Sequence, residues 1–445
     1  MPRNAKTPLA APVFGEPVFN EGVPTPDPTQ FKTPHPSDSK LYNQIQNLLK
    51  KDTVTFPAAS GKPGDLYPLQ QAWGPHGAEI IQNIQKAKQI SFHALGDTGA
   101  SESQKYGNEI RVSDMVTNDF HTSDPTKPPA FLYHLGDVVY DFGESQYYYD
   151  QFYEPYRDYP APILAIPGNH DSFIVPGTAV AQQPLKIFMR NFCAAGPVVT
   201  TETGPLHRTA MTQPGVYFTL DAPFVRIIGL FSNALEDPGL ISSESGKWKG
   251  VPDVQLAFLA AQLQRIKTEN YPGAVLLATH HPAFSYAPPQ GGKGGGGKHS
   301  SSNPMLREID TICKAQGVYP HAFLSGHAHN YQHYTRSVNF NGKKFDVPFI
   351  VCGDSGHNVN PLVQAKKGQP AQEPAQGANV TYLDANPVVQ ATGLTLEKYD
   401  DKNYGYLRIT VNTQQLRIDF HPAVAGGGAQ SDTIIIDLAT HTKAA

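Results

Sequence analysis

What most constrains this chain is a repeated piece of sequence grammar: a short apolar run that ends abruptly in a small polar cluster. QISFHAL (Gln89–Leu95) runs into GDTGAS, FLYHL (Phe131–Leu135) into GDVVYDFGE, and ILAIP (Ile163–Pro167) into GNHD. Further on, AVLLA (Ala274–Ala278) runs into THHP, and AFLS (Ala322–Ser325) into GHAHN. Near-continuous apolar runs of this length mark strands covered on both faces. Between them lie helix-like stretches, notably Val254–Ile266 and Leu306–Ala315, whose apolar residues recur three and four apart. Tyr217–Leu220 and Val225–Phe231 read as two more strands. Strands alternating with helices predict an α/β sheet.

The two ends of the chain differ from this middle. Residues 1–36 hold nine of the 40 prolines and no periodic pattern, so they read as an extended arm. Leu41–Leu49 and Ala78–Ala87 read as short helices, and together these features set residues 1–88 apart from a main domain over 89–445. Near the carboxyl end, YLRITV and QLRIDF alternate apolar and polar residues across NTQ, the pattern of an antiparallel hairpin, and Thr433–Leu438 is a last strand. The stretch 288–303, PPQGGKGGGGKHSSSN, carries six glycines and reads as a flexible loop.

Charge and cysteine content narrow the function classes. Thirty-five basic and 39 acidic residues leave a formal charge of −4, which argues against a general nucleic-acid or membrane-surface binder. Cys193, Cys313 and Cys352 lie far apart without CxxC spacing, so neither a disulfide framework nor a cysteine zinc site is expected. No run approaches the length of a membrane span, and no apolar segment of a signal peptide follows Arg3 and Lys6. The compartment stays open, cytoplasmic or exported after signal removal, and so does the oligomeric state.

Five of the strand ends present metal-type ligands: Asp97, Asp137, Asn169 with His170, His280, and His327 with His329. In open α/β sheets ligands bind in the crevice beyond the carboxyl ends of the strands, so these five ends would converge. Glycines stand directly before Asp97, Asp137, Asn169 and His327, which allows sharp turns and close approach of an ion. The set offers more donors than one four-coordinate ion needs, and a carboxylate such as Asp137 can bridge two ions that clamp a phosphoryl group. Asp354, in the GDSG that follows FIVC, receives no role. His93 and His134 lie within apolar runs and read as core histidines, while His281, directly after His280, is expected to pack or to orient its neighbour.

The ordered series GD, GD, GNHD, H and GHxH resembles the calcineurin-like metallophosphoesterase superfamily. GDTG followed by GDVVY is similar to its purple acid phosphatase branch, which adds a tyrosine three residues after the second aspartate, here Tyr140. The resemblance covers Gln89 to about Phe420. It implies a layered α/β sandwich with mixed sheets and metals at the carboxyl strand ends, with 89–445 as the catalytic domain. It further implies one ion on Asp97, Asp137, Tyr140 and His329 and a second on Asp137, Asn169, His280 and His327. Phenolate and carboxylates suit Fe(III), and imidazoles with an amide suit a divalent ion such as Fe, Zn or Mn. The implied reaction is hydrolysis of phosphate monoesters of small substrates by a metal-bound hydroxide, with His170 as donor or proton source.

His299 is expected to contact the substrate phosphate, because related phosphatases place a histidine in that loop; the loop reads either as a lid that carries Lys293, Lys298 and His299 over the site or as a solvated loop with no role. Asp171 is expected to orient His170 or its loop. Two other readings stay open: phosphodiester or nucleotide cleavage on the same fold, and a metal-stabilised binding protein without turnover. The aromatic stretch Gln146–Tyr156 reads either as a wall of the pocket or as a partly buried helix.

Overall fold

The computed structural model describes residues 39–444 except 53, 61–65, 102, 123, 125–126, 173–183, 291–292, 295–298, 364–371 and 425–429. The expected proline-rich arm and Lys298 lie outside the described residues.

Two mixed sheets carry the molecule. The first contains Gln89–Leu95, Leu132–His134 and Ile163–Ala165 as parallel neighbours, extended on the side of Gln89–Leu95 by the antiparallel strands Gly405–Asn412, Gln415–Pro422, Asp432–Asp437 and Thr442–Lys443. The second is built round Val225–Leu230, Ala274–Thr279, Ala322–Ser325 and Lys343–Cys352, all parallel. It continues on one side through Phe218–Ala222 to Leu66–Pro68, and on the other through Tyr331–Phe340 and Ala391–Asp400 to Ala378–Asn379. Ala274–Thr279 and Ala322–Ser325 are buried along their length, as their apolar runs require. Side chains from the two sheets meet in one core: the rings of Tyr133 and Phe218 lie 6.1 Å apart, and those of Tyr331 and Phe420 stack at 3.9 Å.

The helices follow their periodicity. Val254–Thr268 buries Gln255, Phe258, Leu259, Gln262, Leu263 and Ile266, one face at three- and four-residue spacing. Gln255 uses that position to cap a strand end, accepting from the Phe231 N–H at 2.8 Å and donating to its carbonyl at 2.7 Å. Asn303–Gln316 carries Pro304 in its first turn and stops at Gly317, whose φ of 71° suits glycine. The expected hairpin is present, with Leu407 opposite Phe420 and Ile409 opposite Ile418. Among the described residues no helix is long and apolar enough to cross a membrane.

The long strand Tyr331–Phe340 went unread in the sequence because buried polar residues interrupt its apolar pattern, and its partner Lys343–Cys352 because its first residues are polar and exposed. Arg336 is fully buried yet pairs with Asp310 at 2.7 Å and Asp384 at 2.6 Å, and His333 sits 2.8 Å from Asp432. Pairing and hydrogen bonding of this kind offset the desolvation penalty, which lets a charged group occupy a core strand. Residues ahead of 89 also join this body. Leu66–Pro68 is a sheet strand, and the helix Ser39–Lys50 packs Ile45 and Leu49 with Phe56, Phe142, Leu235 and Leu240 in a second apolar cluster.

Candidate metal centre

Strand register places the expected ligands on one rim. Leu95, His134 and Ala165 lie level across the first sheet, and Asp97, Asp137 and Asn169 follow just beyond them. In the second sheet Ala278 is level with Leu324, and His280 and His327 follow. All five are essentially without solvent exposure, as is Tyr140. The backbone turns into left-handed conformation at Asp97 (φ 56°), Asp137 (φ 55°) and His327 (φ 68°), which costs a non-glycine residue energy. Glycine is obligatory between them. A Cβ on Gly168 would lie 2.0 Å from Asp137 Oδ1, and one on Gly326 would lie 2.5 Å from Asp97 Oδ2.

The ligands gather in two halves. In one, the Tyr140 hydroxyl donates to Asp97 Oδ1 at 3.0 Å and lies 3.2 Å from His329 Nε2, itself 3.4 Å from Asp97 Oδ1. In the other, Asn169 Oδ1 meets His280 Nε2 at 2.9 Å and His327 Nδ1 at 3.0 Å, and Asp137 Oδ2 is 3.4 Å from His280 Nε2. The ligand atoms of Asp137, His280 and His327 lie within 4.8 Å of one another.

The electrostatics call for positive charge at this point. Burial lowers the pKa of His280, but the Asp137 carboxylate outweighs it and lifts the ring to about 9. Burial raises Asp137, yet His280 and His170 hold it well below the usual carboxylate range. Burial first, then the charges of Asp137 and Asp97, push the Tyr140 phenol far up, so it ionises only beside a cation. His280 donates its Nδ1–H to the Leu135 carbonyl at 2.9 Å, which turns the Nε2 lone pair of the neutral ring toward the Asn169 oxygen. Two lone pairs that close need a proton or a cation between them. Burial and the surrounding imidazoles keep His327 neutral, as a ligand must be. The donor set therefore fits metal ions, with oxygen donors in one half and two imidazoles plus an amide in the other.

His170 and His299 border this cluster. His170 is half-buried and donates its Nδ1–H to the Asp141 carbonyl at 2.7 Å, while its backbone N–H reaches Asp137 Oδ1 at 2.9 Å. Burial lowers its pKa, but the charges of Asp137, Asp141 and Glu236 raise it on balance. His299, in left-handed conformation, brings Nδ1 within 3.2 Å of His327 Nε2 and 3.7 Å of Glu236 Oε1. Its loop is fastened by the Ser300 N–H on Asp237 Oδ1 at 2.8 Å. Lys293 belongs to a two-residue strand, and its side chain lies outside the described residues.

Asp171 proves to be a clasp for the ligand loops. Its carboxylate accepts from the N–H groups of Val138 and Val139 at 3.0 Å and of Gly168 at 2.9 Å, tying the Asp137 turn to the Asn169 turn. His281 packs its ring 4.3 Å from that of His327 but gives its nitrogens to other groups: its Nε2–H donates to the Leu235 carbonyl and its Nδ1 meets Ser232 Oγ at 2.8 Å. His134 bonds Thr98 Oγ1 at 3.0 Å and receives the Gly136 N–H at 3.1 Å, and His93 lies between Tyr159 and Asp119, each at 3.0 Å. Gln146–Tyr156 contains a buried π-helical turn, Tyr149–Tyr153. Its Gln151 accepts from the Tyr140 N–H and donates to the Tyr140 carbonyl, both at 2.8 Å.

Three neighbours of the site were not among the expected residues. His357 stacks on the Tyr140 ring, Glu236 faces His299, and the Asn360 amide lies 3.4 Å from His329 Nδ1. The Lys343–Cys352 strand running into GDSGH repeats the strand-then-GD grammar, and it was the signal available for His357. A groove of about 650 Å³ lined by Tyr67, Cys193, Thr212 and Arg265, among others, holds none of the site residues.

A family model described as calcineurin-like phosphoesterase matches residues 90–331, just over half of the chain. Among solved structures, GAP50, the anchor in the inner membrane complex of Plasmodium, aligns at a TM-score of 0.44 with 11% identity, covering 78% of this chain and 87% of that one. PhoD aligns at 0.46 with 14% identity, covering 86% of this chain and 73% of that one. A conserved uncharacterized protein, a predicted phosphoesterase from Streptococcus pneumoniae, aligns at 0.27 with 8% identity, covering 78% of this chain and 98% of that one. No curated protein matches the chain.

Proposed function

The chain belongs to the calcineurin-like phosphoesterase family and is a hydrolase acting on phosphoester bonds, and on that premise we propose that it is a two-metal phosphatase of small phosphate monoesters. The observation that carries the proposal is the position of Asp137, whose carboxylate adjoins His280 and whose charge also acts on the Tyr140 phenol of the other half. Asp97, Tyr140 and His329 would hold Fe(III), and Asn169, His280 and His327 a divalent Fe, Zn or Mn ion, with Asp137 serving both. Such ions supply the positive charge that a phosphate requires and acidify water at neutral pH.

The chain's own groups do the rest. Asp137, Asp141 and Glu236 favour the protonated form of His170, which suits it to donate a proton to the leaving oxygen. His299 stands over His327 and would bind a phosphate oxygen. Asp171 keeps the two ligand turns in register while this happens. The test compares initial rates on p-nitrophenyl phosphate and bis-p-nitrophenyl phosphate with the metal-replete protein. A higher kcat/KM on the monoester is expected, and a preference for the diester would overturn the substrate assignment.

A further inference from the structure

We propose that His357 is a positioning residue for Tyr140, setting the plane of the phenol ring and thereby the electronic coupling of its oxygen to a bound ion. This rests on the reading of Tyr140 as an iron ligand. The two rings stack with centroids 3.5 Å apart and planes 10° apart, a far closer match than the His170 ring makes with Tyr140 at 4.4 Å and 40°. The main chain of Tyr140 is already fixed by the two hydrogen bonds from Gln151. With the hydroxyl held at Asp97 and His329 as well, what stays open is rotation about the Cβ–Cγ axis, which keeps the phenol oxygen in place but turns the ring. Overlap of an oxygen π orbital with a metal depends on that rotation, and a stacked ring at this distance blocks it.

His357 is itself held by the first ligand loop. Its backbone N–H donates to the Asp97 carbonyl at 2.9 Å, and its Nδ1–H donates to the Gly99 carbonyl at 2.8 Å. Gly356 lies so close that an added Cβ would come within 2.2 Å of the Thr98 carbonyl oxygen. The ring is buried, at 7% exposure. A histidine so placed carries one ligand loop's position to the ligand of another: any displacement of Asp97 moves the surface on which Tyr140 lies. The stack is absent from the sequence-derived ligand set because His357 lies beyond the GD to which no role was given.

The experiment compares iron content and the visible spectrum of the iron-loaded wild type, H357A, H357Q and H357F. H357A and H357Q are expected to hold as much iron as the wild type but to show a displaced, weaker phenolate-to-iron band. H357F, which keeps a stacked ring without the Gly99 hydrogen bond, should restore the wild-type maximum. Should H357A fail to fold, H357Q against H357F makes the same comparison. An unchanged band in H357A or H357Q, or an H357F spectrum like theirs, would overturn the proposal and leave the assignment of Tyr140 standing. An iron-loaded wild type without any such band would overturn that assignment, and this inference with it.

Discussion

The two halves of the site stand within a few ångströms of each other and differ in kind. Around Asp97, Tyr140 and His329 the donors are a carboxylate, a phenol and one imidazole, and the phenol still bonds its proton to Asp97 at 3.0 Å. Around Asn169, His280 and His327 the donors are an amide and two imidazoles, with the carboxylate of Asp137 beside them. On the proposed two-metal reading, side-chain type rather than backbone shape would discriminate a hard trivalent from a softer divalent ion. Asp137 is what couples the halves, which makes it the place to break them apart.

Asp137→Ala is accordingly expected to have the largest effect, abolishing turnover of p-nitrophenyl phosphate and releasing both ions, while His280→Ala abolishes turnover and releases one. Metal analysis of the two purified variants checks this, and equal metal loss in both would deny Asp137 its shared position. His170→Ala removes no ligand from either half. It should keep both ions and lose about 10²- to 10⁴-fold in kcat, the usual range for one proton donor, measured by steady-state kinetics.

A smaller effect is expected where the halves are only fastened together. Asp171→Ala strips the acceptor from three buried N–H groups and should cost about 1–3 kcal/mol of stability in urea denaturation, with a fall in activity that follows from looser ligand turns. The last effect is graded and concerns pH. Burial pushes His281 down to about 3 and His134 down to about 3, below their unfolded value near 6.5. The folded rings stay neutral where the unfolded rings take up protons, so stability is complete above about 6.5 and falls as pH drops toward 3. Each ring contributes a slope of at most about 1.4 kcal/mol per pH unit, and His281→Asn should flatten the measured slope.

Much of this was legible in the sequence, for reasons visible in particular residues. The strands Gln89–Leu95 and Ala322–Ser325 were delimited to the residue because each is buried on both faces and ends at a glycine turn. The seven expected ligands come together because strand register fixes where each turn begins. What escaped notice depended on pairing at long range. Arg336 conceals a core strand behind two carboxylates that lie 26 and 48 residues away in sequence. His357 shows its purpose only through a ring more than two hundred positions earlier, and Gln46 bonds the backbone at Ala234 and Glu236, beside the site, from a helix well ahead of the matched region. Local pattern reports burial and turns, whereas contacts of this kind belong to the tertiary fold.

The central claim is that the oxygen-rich half holds a hard ion through Tyr140 while the imidazole half holds a second ion of another kind. The most direct measurement is metal content together with the visible spectrum of the wild type and Tyr140→Phe. Two ions per chain with one of them iron, a phenolate-to-iron band in the wild type, and its loss in Tyr140→Phe are predicted. A single ion per chain, or a band that survives in Tyr140→Phe, would contradict the account.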